Sequence, residues 1–551
     1  MDHLIDADEP ATPAVKRGWR AAVQGFGRDE NGTMLVFSLM LFTLMVMMGG
    51  IAVDLMRYEN MRTALQNTTD RSTLAAAALT QSLEPEEVVH DYFEKAGLVQ
   101  YLTNVNVAEG INYRQVTADA SAATRPFFLH MIGIDEFDAP AHSMAEQRIT
   151  NVEIVLVLDV SGSMAGSKLV NLKSAASEFV STVLSSDSED RISIALVPYN
   201  GQVNLGTILR PKYNATMNPH VTNVNCIDLP SSVYSQSGMS RTLEMPMTAH
   251  ADTFSSTSQT TTFVSHNDTD FAVPNAANRW CPPSTTNVVR LPTKSIATLQ
   301  SQISGLTAIG ATSINAGLKW GTAMLDPGSR GMFTELVAEN QIPGVFAGRP
   351  FDYTDDEAMK IIVLMTDGEH FAEERVTNSF KSGISTIYRS SNDGNYSIFH
   401  ASRAGPLKFW TPHRTEWRAT AWTNNATPAV QLTWPQVWAA LRPSWVAWQM
   451  HARAFGTNNA TRSSNFATAM TAMRTQTATT AMDSQLQTAC TKAKTDGLII
   501  YGIAFEAPTN GAAQIAGCAT TSAHYFNANG LQIQTAFRAI ASNISQLRLT
   551  Q

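Results

Sequence analysis

The chain has 551 residues, is 44% hydrophobic and only 16% charged, and carries a formal net charge of −8. Single hydrophobic cores stop growing near ~250–300 residues, so more than one domain is expected. The acidic balance excludes the basic footprint of a dedicated nucleic-acid binder, and four cysteines without a C-x-x-C pair exclude a dense disulfide scaffold.

Residues 1–30 are polar, mixed in charge and contain Pro10 and Pro13, which predicts a short disordered tail. From Asn31 to Val53 no side chain is ionisable, and ~20 such residues span the ~30 Å hydrocarbon layer as a helix. A secretory signal would have an apolar core of only ~7–15 residues and a small-residue cleavage site. Here Asp54-Leu55-Met56-Arg57-Tyr58 follows instead, which favours an uncleaved transmembrane anchor over residues 31–53. Lys16, Arg17, Arg20 and Arg28 precede the run, against Arg57, Arg62 and Arg71 after it. This bias places the tail in the cytoplasm and the bulk of the chain outside. Residues 54–83 keep helical character without Gly or Pro and predict a stalk ending before Pro85. Residues 84–150 predict a small α+β module, with an acidic helix over 86–96 and strand-like text over 98–148.

At residue 151 the pattern changes. Residues 152–158 form a β-branched apolar run of the kind buried on both faces of a parallel sheet. Residues 192–198, 361–365 and 498–505 resemble it, and helical patterns over 167–184, 313–324, roughly 465–494, and 531–547 separate or follow them. This alternation predicts an α/β fold, a doubly wound and mostly parallel sheet over residues 151–551. Residues 201–294 and 370–464, rich in Asn, Thr, Ser and Pro, are too long for simple connections and are read as two insertions. Seven of the ten tryptophans fall in the second. They form either a partner- or sugar-binding face or, as such residues more often do, the private core of the insertion.

The first strand of this domain runs into Asp159-Val160-Ser161-Gly162-Ser163. A carboxylate and two hydroxyls at alternate positions then lie at the carboxyl end of a strand, where open α/β sheets bind ligands. Thr312, at a helix start, and Asp367, just past another strand, end their elements in the same way. Oxygen donors without His or Cys select a hard divalent cation, Mg²⁺, Ca²⁺ or Mn²⁺. The bland alternative is that Asp159 and the serines merely cap the next helix, but capping does not require three elements to converge.

The spaced set DVSGS, GAT and TDG resembles the metal-ion-dependent adhesion site of von Willebrand factor type A domains. The resemblance implies Ser161, Ser163 and Thr312 as direct ligands, and Asp159 and Asp367 as carboxylates acting directly or through water. It also implies Mg²⁺ before the other cations, with one coordination position left for an acidic residue of a protein partner. Gly32, the apolar run, Gly50-Ile51-Ala52-Val53-Asp54, Leu65-Gln66-Asn67, Asp70 and Leu74-Ala75-Ala76-Ala77 resemble the start of TadE/TadG-type assembly proteins of the Tad (Flp) pilus. Several members of the TadG branch join such an anchor to a C-terminal von Willebrand A domain. The resemblance implies a single-pass protein of the bacterial inner membrane, its bulk periplasmic or extracellular, working with pilus or secretion machinery. Prepilins carry Glu five residues after the cleavage glycine; Phe37 stands there after Gly32, so an unprocessed anchor is expected. The placement of Cys490 and Cys518 around the 498–505 strand recurs in the resembled family and implies a Cys490–Cys518 disulfide. Cys226–Cys281 is expected beside it, although four cysteines allow three connectivities.

The function expected is a membrane-anchored, non-enzymatic binding protein of a pilus-assembly apparatus. A purely structural, pilin-like scaffold is the alternative. A metal-dependent hydrolase is disfavoured because no G-x-S-x-G, H-E-x-x-H or Walker A motif is present.

Overall fold

A computed structural model describes residues 31–78, 81–109, 113–148, 151–185, 187, 190–218, 221–254, 261–355 and 357–545. The tail expected over residues 1–30 lies outside them. The chain divides into two compact units, residues 1–109 with 113–147, and residues 110–112 with 148–551.

The first unit begins with one continuous helix, α1 (Asn31–Ala77). Its apolar part is long and hydrophobic enough to cross a membrane, and its far end is amphipathic, with Leu65, Ala76 and Ala77 buried. Helix α2 (Pro85–Lys95) starts on a proline at its first position, with Glu86 and Glu87 in the first turn and Lys95 in the last, all favourable to the helix dipole. Val88, Val89 and Phe93 on its buried side pack with α1. Strands β1 (Leu102–Glu109), β2 (Tyr113–Thr124) and β3 (Phe137–Arg148) complete the unit as a three-stranded sheet in that order. Small residues of the sheet, among them Ala118, Ala120, Ala139 and Ala141, join the same core.

The second unit is built on a six-stranded sheet. Its members are β4 (Asn151–Asp159), β5 (Ile192–Tyr199), β6 (Arg290–Thr293), β7 (Ala358–Thr366), then, beyond the second insertion, two more. That insertion contains its own antiparallel sheet of β8 (Ile384–Arg389), β9 (Tyr396–Phe399), β10 (Phe409–Thr411), β11 (Glu416–Arg418) and β12 (Val430–Thr433). The last two members of the main sheet are β13 (Ile499–Phe505) and β14 (Tyr525–Ala528), and the strand order is β14-β13-β7-β4-β5-β6. Five strands are parallel; β6 pairs antiparallel with β5. The sheet is therefore mixed, and its antiparallel edge comes from residues 290–293, inside the span expected to be insertion.

Alternation along β4 explains the helices on both faces. Ile154, Leu156 and Leu158 point into one core with α3 (Ser167–Ser185) and α4 (Ile296–Ser304). Val155 and Val157 point into the other, with α5 (Ile314–Leu325). The helix expected over roughly 465–494 is two helices, α6 (Asn459–Met473) and α7 (Thr479–Thr495). Arg474–Thr477 between them is extended, because it pairs antiparallel with Glu373–Val376. Tertiary pairing overrides helical periodicity there. Helices α8 (Thr509–Cys518) and α9 (Gln532–Ser545) follow, α8 packing on the Val155 face and α9 on the Leu156 face.

The tryptophans are interior. Trp410, Trp434, Trp438 and Trp445 are buried with Val437, Leu441 and Met450, and Ala249, Ala251 and Ala272 of the first insertion enter the same cluster. The two insertions thus share one core. Arg442 donates to the carbonyls of Thr269 and Val273 at 2.8 and 2.7 Å, and Trp445 Nε1 to that of Val264 at 3.1 Å. Both disulfides, Cys226–Cys281 and Cys490–Cys518, are formed.

Candidate metal centre

The site lies where three loops meet at the carboxyl ends of β4 and β7. These strands are parallel neighbours, with Leu158 opposite Met365, so the residues that follow each emerge side by side. Asp159 ends β4, fully buried. It accepts hydrogen bonds from the Ser161 amide at 2.8 Å and from Thr366 Oγ1 at 2.7 Å. The Ser161 and Ser163 hydroxyls are 2.9 Å apart, and Ser163 Oγ donates to Asp367 Oδ1 at 2.7 Å. Ser161 and Asp367 are buried whereas Ser163 is exposed, so the cluster opens to solvent on the Ser163 side.

Thr312 is brought in by the loop before α5. That loop is laced to the β4 loop by Gly162 N–H to Gly310 C=O, 2.9 Å, and Ile309 N–H to Val160 C=O, 2.9 Å. The pro-side of Gly368 faces both Thr312 Oγ1 and Ser163 Oγ, which lie 3.5 and 3.8 Å from where a Cβ would stand. All five residues singled out from the sequence, Asp159, Ser161, Ser163, Thr312 and Asp367, therefore gather at one rim of the sheet.

The electrostatics suit a cation. Burial, and secondly the charge of Asp367, push Asp159 up to about 6: two carboxylates sit close together in a place from which water is largely excluded. Two buried carboxylates and three hydroxyl-bearing residues are a hard, all-oxygen donor set, and the residues present fit a divalent cation. Among the described residues no group of three or more His, Cys, Asp or Glu side chains is placed to hold a metal ion.

Two neighbours escaped the sequence reading. Lys168, on the first turn of α3, places Nζ 2.9 Å from Asp367 Oδ2 with its side chain largely buried. Thr366 holds the second oxygen of Asp159. The signal for Thr366 was its position immediately before Asp367; a lysine five residues past Ser163 carries none without the fold. Behind the site His370 is buried, accepting from the Asn315 amide at 3.1 Å and facing Asp483 Oδ1 at 2.7 Å.

Fold and site together define a mixed α/β rim-site domain following an apolar N-terminal helix. Residues 32–79 match the family model described as "Putative Flp pilus-assembly TadE/G-like", so this segment is a Tad-type domain. No curated protein matches the chain. Similar solved structures include the vWF domain of the type V pili tip protein Mfa5 from Porphyromonas gingivalis, at 15% identity and TM-score 0.30, covering 72% of this chain and 96% of that one. They also include the adhesive tip pilin GBS104 from Group B Streptococcus agalactiae, at 12% identity and TM-score 0.30, covering 72% and 100%. A von Willebrand factor type A protein from Catenulispora acidiphila matches at 12% identity and TM-score 0.17, covering 49% and 34%.

Proposed function

We propose that this chain is a membrane-anchored component of a Tad/Flp-type pilus-assembly apparatus in the bacterial inner membrane. Its large domain, of von Willebrand A type, projects outside and binds a protein partner through a divalent cation. The observation that carries this reading is the convergence of Ser163, Thr312 and Asp367 at one rim of the sheet, from three segments far apart in the chain, Ser163 and Asp367 being 204 residues apart. Ser161, Ser163 and Thr312 would hold the cation by their hydroxyls, with Asp159 and Asp367 balancing its charge. Bound there, the cation supplies an electrostatic anchor for an acidic side chain of the partner. The buried carboxylates hold fixed positions for it, and the exposed Ser163 side leaves the approach open. Nothing in this role requires bond chemistry, so the protein is read as a binder rather than an enzyme.

A second reading has a specific observation in its favour. The Lys168 ammonium already neutralises Asp367, as a cation-free scaffold would require. Titration of the full chain in detergent with Mg²⁺, Mn²⁺ and Ca²⁺, followed by thermal unfolding, separates the two. Saturation at ~100 times the dissociation constant adds about 2.7 kcal/mol to the folded state. A rise in midpoint that is lost in both Asp159→Ala and the less intrusive Ser163→Ala supports the binding role. Folded protein with no shift for any cation supports the scaffold.

A further inference from the structure

The loop between β2 and β3 bears the sequence Phe127-Phe128-Leu129-His130-Met131-Ile132-Gly133-Ile134. It presents Phe127, Met131 and Ile132 to solvent at 68%, 74% and 52% exposure. A soluble surface seldom displays three large apolar side chains so close together, and such a patch marks a contact surface. The loop is nonetheless firmly held. The buried Asp54 carboxylate accepts the amides of Phe127, Phe128 and Leu129 at 2.9, 2.7 and 2.9 Å. Arg57 lies over the Phe127 ring, 4.3 Å from its centroid.

Its position along α1 identifies what covers it. A Cβ on Gly50 would lie 2.2 Å from Phe128 Cγ, so glycine is what lets this ring rest on the helix. Gly50 is inside the uncharged run, three residues before its end at Val53, or about 4.5 Å along the helix axis. The loop therefore reaches below the level at which the apolar run ends, along a stretch of helix where Met48 and Val53 are themselves 66% and 48% exposed. Its charged neighbours, Arg57 and Arg125, are the kind of residue that reaches headgroups from such a depth.

We infer that the loop Phe127–Ile134 is a membrane-interface foot: Phe127, Met131 and Ile132 insert into the outer leaflet next to the anchor, and Asp54 holds the foot at that depth. Interfacial apolar groups sit ~5–10 Å into the headgroup and acyl boundary, which matches the level of Gly50. The foot gives the first unit two points of attachment to the bilayer instead of one. The inference rests on residues 31–53 crossing the membrane.

The test is site-directed spin labelling of the full chain in vesicles of phosphatidylethanolamine and phosphatidylglycerol. With both native disulfides formed, a single new thiol carries the label in Met131→Cys, Met144→Cys or Leu39→Cys. Met144 is 58% exposed and adjoins Ser143, whose hydroxyl meets Thr73 Oγ1 at 3.1 Å. It therefore stands some ~35 Å further along the helix axis than Gly50, and serves as the aqueous reference. Leu39 reports the span itself. The expected result is collision with oxygen over a water-soluble nickel chelate several-fold more favoured at Met131 than at Met144. A Met131 ratio equal to that of Met144 overturns the foot. So does protection from both reagents, which would mean protein covers the patch. A water-exposed Leu39 label would overturn the membrane span instead, and is distinguishable from both.

Discussion

The Ser163 hydroxyl donates to Asp367 Oδ1 at 2.7 Å across 204 residues of sequence. It does so because β4 and β7 lie side by side in parallel register, so that the loops after Asp159 and Thr366 leave the sheet together. Between those strands the chain makes the first insertion, and the second follows β7, yet the contact depends only on the sheet. Elaborations of the loops can therefore vary without disturbing the donor set.

Lys168 should compete with an added cation. Replacing it, as in Lys168→Met, leaves the buried Asp367 carboxylate without its 2.9 Å partner. The cation-free protein should lose about 1–3 kcal/mol, the usual cost of stranding a buried charged group. Divalent-cation affinity should rise several-fold in isothermal titration. Unchanged or weaker cation binding would mean that the lysine supports the site instead of occupying it.

Gly511, in α8, controls the site without belonging to it. A Cβ there would lie 2.0 Å from the Gly368 carbonyl oxygen, and the backbone of Gly368 cannot swing away as a side chain would. Gly511→Ala should cost about 1–3 kcal/mol through overpacking, although alanine is the better helix former. By pushing the Asp367–Gly368 turn it should also weaken cation binding. Measured stability and cation affinity falling together would be the expected pattern.

The Cys226–Cys281 bond closes a loop with a sequence separation of 55. Its removal in the double variant Cys226→Ala, Cys281→Ala should lower stability by up to about 4 kcal/mol. Chemical denaturation with far-UV circular dichroism would show a lower midpoint with native secondary structure at zero denaturant.

Acidification should loosen the tryptophan-rich core. The rings of His400 and His451 meet edge to face with centroids 5.1 Å apart. Burial, and then the neighbouring His400, lowers His451 to about 4, and burial lowers His400 as well. Between pH 6.5 and about 4 the unfolded chain takes up protons that the folded core refuses. Stability is therefore constant with respect to His451 above that window and falls as pH drops through it, by at most about 3 kcal/mol. Urea unfolding followed by tryptophan fluorescence should give this slope, and His451→Phe should flatten it.

The amino-acid sequence by itself determined the elements whose signal is local. Twenty-three residues without an ionisable side chain suffice to make the apolar half of α1, because span length depends only on rise per residue. The runs around Val155, Leu196, Val363 and Ile503 announce strands buried on both faces, because such strands need no polar side. The five rim residues were visible for a similar reason: each lies at or just beyond the end of a recognisable strand, or just before a recognisable helix. What the tertiary structure decided is everything that depends on which distant segments meet. Arg474–Thr477 is a strand only because Glu373–Val376 lies beside it, and residues 290–293 became a sheet edge only because β5 offered one. Lys168 matters because α3 turns it back onto Asp367, and Ala249 and Ala272 share a core with Trp445 because two insertions, separated in sequence by a sheet strand, fold together. Pairing and burial are satisfied by proximity in space, and no periodicity in the chain records proximity between segments so far apart.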